Sequence, residues 1–316
     1  MFNEIINKLK DCTDAGRLSD FSARFDYIKR NADSGDVECA LILSAFHTLS
    51  NVDSPEGRQA AYRYASIAAD AGHSSGYFTM AGLLRMDGGK ENERKAESFL
   101  REAIKHGHIE AHGELGAWLL ERNENLQESC NLLSFAVSRN YYQYVHDLFR
   151  CYIKLGNDVA AFKTALFWVK KADFDPSAYF TLGNCYMKGV GTAANPRKAV
   201  DNYRRGCKSG DCRCMIMMAA AYYLGMGTGT NPARGLAMLQ SAVTSICNQN
   251  AFSAVMEIYN NDTLQKCMPA EDFDAVTQSI VNRAEDAEFR SYILNYLQQH
   301  GDNSLPSPLA RFGINI

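Results

Sequence analysis

Apolar residues along this chain recur in short stripes at helical spacing, separated by turn residues. The segment Ala178 to Tyr186 shows the pattern, with Ala178, Leu182, Gly183 and Tyr186 on one helical face. Equivalent stripes are anchored at Ser44-Ala45, Met80-Ala81, Leu115-Gly116, Leu148-Phe149 and Met218-Ala219. A second series, of small residues, falls between them: Ala61, Ala96, Cys130, Ala165, Ala199 and Gly235, at intervals of 35, 34, 35, 34 and 36. Seven residues after each stands another compact residue: Ala68, Ala103, Val137, Ala172, Gly206 and Ala242. Seven residues is nearly two helical turns, so each pair shares a face where a neighbouring helix can approach closely. Glycine follows at Gly72, Gly107 and Gly210, suited to the left-handed residue that ends a helix. The pattern predicts an all-α chain of about six two-helix units.

Between the helices of the last two units lie Lys188-Gly189-Val190-Gly191-Thr192 and Leu224-Gly225-Met226-Gly227-Thr228-Gly229. Neither run has the lysine and Ser/Thr ending of a phosphate-binding loop and neither follows a strand, so both read as structural turns. An A-x3-LG-x2-Y first helix, a KG-x-G loop, a Lys198-Ala199 start to the second helix and Gly210 after it together resemble the Sel1-like repeat family, relatives of the tetratricopeptide repeats. The fifth and sixth units carry the resemblance best, the second (Lys95-Ala96 to Gly107) carries it well, and the third and fourth lack the glycine loop. The resemblance implies a right-handed α/α superhelical solenoid of about six Sel1-like helix-turn-helix repeats with helical caps. Residues 1–35 are expected to form an N-terminal helical cap or half-repeat, 36–247 the array, 248–300 a C-terminal helical cap and 301–316 a tail. In the terminal cap, Asn250 to Tyr259 and Glu271 to His300 read as amphipathic helices.

Composition narrows the function. Of 316 residues, 46% are hydrophobic and 22% charged, enough apolar material for a substantial core. A net charge of −3 speaks against nucleic acid as partner, which needs a basic face. The start, Met1 to Lys10, has no basic segment leading into an apolar one, and no later window is long and uncharged enough to span a membrane. A cytoplasmic location is expected, and the ten cysteines, dispersed through a large chain, are expected to be reduced and packed.

Two clusters invite chemistry. His106, His108 and His112 surround a turn, but the glutamate of His108-Ile109-Glu110-Ala111-His112 is misplaced for a zinc-protease motif, and Gly107 breaks the helix, so a polar turn is expected. Cys207, Cys212 and Cys214 meet where the fifth unit hands over to the sixth, and a thiol- or metal-dependent site there is the alternative function. No nucleophile-base pair or G-x-S-x-G elbow is present, so no catalytic residue, metal or cofactor is assigned and the chain is not read as an enzyme.

By analogy with tetratricopeptide arrays, the first helices line a concave groove. Positions two before, and two and five after, each anchor then face a partner: Phe46, Phe78, Arg85, His146, Arg150, Phe180, Asn184, Met187 and Tyr223, with Leu49 and Ile216 on the same rule. Aromatic, methionine and arginine side chains together make a protein-binding surface. The expected function is an adaptor, scaffold or inhibitor that holds a protein or peptide. The resemblance extends to bacterial immunity proteins that neutralise toxins, and a spacer within a larger assembly is a further alternative.

Overall fold

The computed structural model describes residues 18–50, 52–171, 175–250, 252–253, 256 and 266–300. Among the described residues fifteen α-helices and one 3-10 turn can be delimited, and there is no strand. The chain divides into two compact units, residues 1–151 and 152–316.

The first unit holds α1 (Leu18–Asp33), α2 (Val37–Ser50), α3 (Pro55–Asp70), α4 (Ser74–Asp87), α5 (Lys90–Lys105), α6 (Ile109–Glu121) and α7 (Leu126–Ser138), then the 3-10 turn Tyr142–Tyr144. Helix α8 (Val145–Lys154) leads out of it. The second unit holds α9 (Asp158–Lys171), α10 (Pro176–Lys188), α11 (Pro196–Lys208), α12 (Cys212–Leu224), α13 (Pro232–Ser245), α14 (Ala270–Arg283) and α15 (Ala287–His300). Within each unit every helix packs mainly on its chain neighbours, most extensively inside the pairs α2/α3, α4/α5, α6/α7, α10/α11 and α12/α13. Such neighbour-only packing defines a solenoid. Helix α1 buries Ala32, with Phe25 and Ile28 half-buried, against α2 and α3. Most of Asn250 to Tyr259, and all of the 301–316 tail, lie outside the described residues.

The helices begin where the sequence supplies a cap. Ser54, Asn125, Asp175, Asn195, Asp211 and Asn231 each accept a backbone N–H of the first turn, and Pro55, Pro176, Pro196 and Pro232 open the helices they precede.

The recurring small residues form the packing seam. Ala61, Ala96, Ala165 and Ala199 are fully buried, as are Ala68, Ala103 and Ala242, while Ala172 is outside the described residues. Large side chains of the neighbouring helix fill the room these leave. Gly183 of α10 faces the ring of Tyr203 on α11 so closely that a Cβ would collide with it. The Tyr203 hydroxyl then donates to Asn184 Oδ1 at 2.7 Å.

The glycine-rich runs are turns with a packing role. Gly189 and Gly225 take the left-handed conformation that ends α10 and α12. Gly191 and Gly227 lie against the backbone carbonyls of Asp158 and Pro196, at the starts of α9 and α11, where a side chain has no room. Each loop thus braces the preceding second helix.

Gly183→Ala should destabilise the chain by about 1–3 kcal/mol, the usual cost of forcing a methyl into a filled core. Thermal or denaturant unfolding checks it, and an unchanged midpoint would mean the Tyr203 ring has slack that its contacts do not suggest.

Candidate partner-binding cleft

Two consecutive first helices of the first unit, α2 and α4, leave a cleft of about 560 Å³ between them. Ala45, Thr48 and Leu49 line it from α2, and Phe78, Thr79, Gly82, Leu83, Arg85 and Met86 from α4. Its rim is apolar and open to solvent: Leu49 is 67% exposed and Met86 54%. Gly82 lies on its floor with no heavy atom within 4 Å of where a Cβ would be. Helix propensity disfavours glycine in such an exposed interior position, so the open floor comes at some cost in stability.

The walls are fixed from behind. Phe78 stacks on His108 with ring centroids 4.4 Å apart. Arg85 bonds Glu114 Oε2 at 2.7 Å and lies 5.0 Å from the Trp118 ring centroid. The other carboxylate oxygen of Glu114 accepts the Tyr144 hydroxyl at 2.9 Å. Burial, then the Glu114 charge, drives the Tyr144 hydroxyl far above its ordinary range, so it stays a donor. Burial and the same charge raise the Glu110 carboxyl. Arg85 therefore already has a carboxylate, and a partner would meet its aliphatic stem and edge more readily than a bare cation.

The histidines of the turn act as caps and stacking surfaces. His73 and His108 occupy the N-cap positions of α4 and α6, and their Nδ1 atoms accept from Ser75 and Ala111 backbone N–H, each at 3.3 Å. His112 Nδ1 meets the His108 carbonyl at 3.1 Å and its ring stacks on Phe135. No group of His, Cys, Asp and Glu among the described residues is arranged to hold a metal ion. Burial first, then the His73 and His112 charges, lower the His108 pKa. His47 is lowered by burial and by Lys29, and its Nδ1 is buried without a hydrogen-bond partner among the described residues.

Of the residues singled out by the groove rule, Phe78, Arg85 and Leu49 line this cleft. Phe46 is half-buried and sits edge-on to Phe25 at 5.3 Å, outside the lining. His146 and Arg150 are exposed on α8, with Arg150 bonded to Asp147 of the same helix at 3.2 Å. In the second unit Phe180 lies under the Arg213 guanidinium at 4.8 Å, Asn184 serves Tyr203, and Met187 packs beside Ala199 and Tyr203. Tyr223 is only 6% exposed and donates to Asp272 at 2.8 Å, and Ile216 is fully buried, so both are core side chains. On this side α12 is covered by α13 and the C-terminal helices. Ala45, Thr48, Thr79, Gly82, Leu83 and Met86 line the cleft without being given by the rule. A glycine amid an apolar helical stripe was the available signal for the floor.

At the other candidate site Cys212 and Cys214 are buried and Cys207 half-buried. Burial, followed by the Asp211 charge, pushes Cys207 up to about 12 and Cys212 up to about 11, and drives Cys214 higher still. Thiols held protonated this way are poor nucleophiles.

The Sel1 repeat family matches at residues 53–73, 76–108, 176–211 and 212–244. These segments hold α3, α4 with α5, α10 with α11, and α12 with α13. Among solved structures the chain is similar to c5321, a protective antigen present in uropathogenic Escherichia coli strains that displays an SLR fold, at 18% identity and a TM-score of 0.63 over 87% of this chain. The chain spans 58% of that antigen's length. It is likewise similar to a Sel1 repeat protein from Oxalobacter formigenes, at 18% identity and a TM-score of 0.62, covering 88% of this chain and 82% of that one. At these identities the likeness shows the fold. Searching curated proteins by sequence returned no match. No helix among the described residues is long and apolar enough to cross a membrane.

Two solution measurements follow from this chemistry. Because His108 has its pKa lowered in the folded state, the unfolded chain takes up the proton first as pH falls below the ordinary value of 6.5. Stability should therefore be flat above neutrality and decline below about 6.5, with His108→Asn, which keeps a capping oxygen, weakening the decline. Melting temperature against pH reads it, and a transition that rises on acidification contradicts the assignment. Alkylation mapped by mass spectrometry should label the exposed Cys247 and Cys267 well before Cys185, Cys207, Cys212 and Cys214. Early labelling of Cys212 or Cys214 would restore the thiol site.

Proposed function

We propose that this chain, which carries Sel1 repeats, is a non-catalytic interaction module that holds another protein or peptide against its first helices, with the α2/α4 cleft as the principal contact. Sel1 and related repeats are generally protein-interaction folds, because stacked helix pairs present long surfaces without needing loops to build a site. The single observation that carries the reading is the open apolar cleft rimmed by Leu49 and Met86 and backed by rigid aromatic and ionic contacts. Large apolar side chains left exposed on a preformed wall favour a partner presenting an apolar anchor, since little ordering entropy is lost on docking. The remaining first-helix residues Phe46, His146, Arg150, Phe180, Asn184 and Met187 would contribute secondary contacts; Tyr223 would act only through packing. A more specific version, in which the module is a toxin-neutralising immunity protein of the cytoplasm, adds the expectation that co-expression rescues growth from a toxin encoded beside it.

Filling the cleft separates these contacts from the fold. Gly82→Trp introduces a bulky side chain where nothing stands within 4 Å, so the helices should remain intact while partner recovery in native affinity purification drops by about tenfold or more, the scale of a lost central contact. Recovery equal to wild type for both Gly82→Trp and Met86→Ala would remove the cleft as the binding surface.

A further inference from the structure

Charge is distributed unevenly along the second unit. Residues 152–250 hold twelve Lys and Arg against five Asp and Glu, whereas residues 251–316 hold four against nine. The basic excess is concentrated on the solvent faces of α9 and α11. On α11 the buried side is Ala199, Val200, Tyr203 and Gly206, and the opposite face carries Arg197, Arg205 and Lys208, all exposed. On α9 the buried side is Ala161, Thr164, Ala165 and Trp168, and Lys163, Lys170 and Lys171 are exposed. Spacings of eight and eleven residues put the α11 set along one helical stripe; on α9 Lys163 and Lys170, seven apart, share a stripe and Lys171 flanks it.

On the corresponding helices of the first unit most cations are paired, Lys90 and Arg94 of α5 being the exceptions among the described residues. Arg58 pairs with Asp87, Arg63 with Asp33, Lys95 with Glu91, and Arg101 with both Glu97 and Glu128. Lys163, Lys170, Lys171, Arg197, Arg205 and Lys208 form no ion pair among the described residues. Arg204 of α11 is matched by Asp201, and Arg213 of the adjoining α12 by Asp211. Both helices pack on α10, and the turn before α11 touches the first residue of α9, so the two basic helices start beside each other. Asp201 is the one acidic residue on this face of α11, so cations outnumber counter-charges there, a mild burden on the fold that an anionic ligand relieves.

We propose that the solvent faces of α9 and α11 form a second interaction surface, which takes a short acidic segment of a partner protein. It shares no residue with the α2/α4 cleft and does not depend on the function proposed for that cleft. The named cations run from Lys163 to Lys171 and from Arg197 to Lys208, so the stripes extend for roughly 12 and 16 Å at 1.5 Å per residue. Those lengths suit a few turns of acidic polypeptide carrying about four to six carboxylates. Arginine offers paired donors to a carboxylate, while the lysines add directionless attraction. A longer polyanion fits less well, because the same unit continues into exposed acidic positions, Glu271 and Asp274 on α14 and Glu285 just after it. Beyond a Debye length of about 8 Å the basic stripes no longer offset these charges. Neither stripe interleaves exposed aromatic rings with its cations, which single-stranded nucleic acid would need for stacking.

The test is fluorescence anisotropy on the full chain with a labelled helical Glu/Ala peptide of about 15 residues. Saturable one-to-one binding that weakens with salt is expected. The triple variant Arg197→Glu, Arg205→Glu, Lys208→Glu should lose about tenfold or more in affinity, and reversing Lys90, Arg94 and Lys95 in the first unit should leave binding nearly unchanged. All six positions are exposed, and circular dichroism on both variants confirms folding. Parallel arms use phosphatidylcholine vesicles containing phosphatidylserine and a short DNA duplex. No peptide binding, loss shared equally by the two triple variants, or tighter binding of vesicles or duplex through the same residues would each overturn the proposal.

Discussion

Close approach between neighbouring helices is the constraint on which the structure rests, and it is met by placing almost nothing at the crossing points. Alanines line the buried seam, and at three glycines a tyrosine is inserted. Gly183 receives Tyr203, Gly113 receives Tyr144 and Gly235 receives Tyr223. A buried phenol needs a hydrogen-bond partner, because an unsatisfied hydroxyl costs about as much as its packing contributes. Each of the three finds one, at Asn184, Glu114 and Asp272 respectively. The seam therefore sets the position of polar side chains as well as of helices.

That coupling reaches the cleft. Tyr144, seated on Gly113, orients Glu114; Glu114 orients Arg85; and Arg85 forms one wall beside Met86. Phe78 is fixed in turn by His108, which is also the cap of α6. A surface built this way is rigid without being closed, the combination a protein-binding wall requires.

The units in which the repeat pattern fades, α6 to α9, solve the same geometric problem with different residues. Left-handed backbone positions taken by glycine elsewhere are held there by Asn123, Asn125 and Asn140. Asparagine tolerates that conformation better than other non-glycine residues, since its side chain bonds locally. The unusual run Tyr141-Tyr142-Gln143-Tyr144 folds into a 3-10 turn that delivers Tyr144 to Gly113. The stretch 109–175, which the Sel1 repeat model does not match, thus carries substituted turn chemistry, while α6 and α7 keep their pairing.

The all-α class, the interval of 34 to 36 residues, the seam positions and the turn role of the glycine loops could all be read from residue order. Each depends on spacing within a helix or on a conformation open to few residue types, and both are local. The sides of the first helices could not be read with the same sharpness. Phe78, Arg85 and Leu49 do line a cleft, but Phe46 turns to α1, Tyr223 and Ile216 are covered by later helices, and Arg85 is matched by a carboxylate 29 residues away. Periodicity gives a helix face to within a few tens of degrees, whereas burial of a given side chain depends on which distant element arrives over it. The same holds for charge: the basic excess is visible in the residues of α9 and α11, but only the folded chain shows which cations have found a counter-charge and which have not.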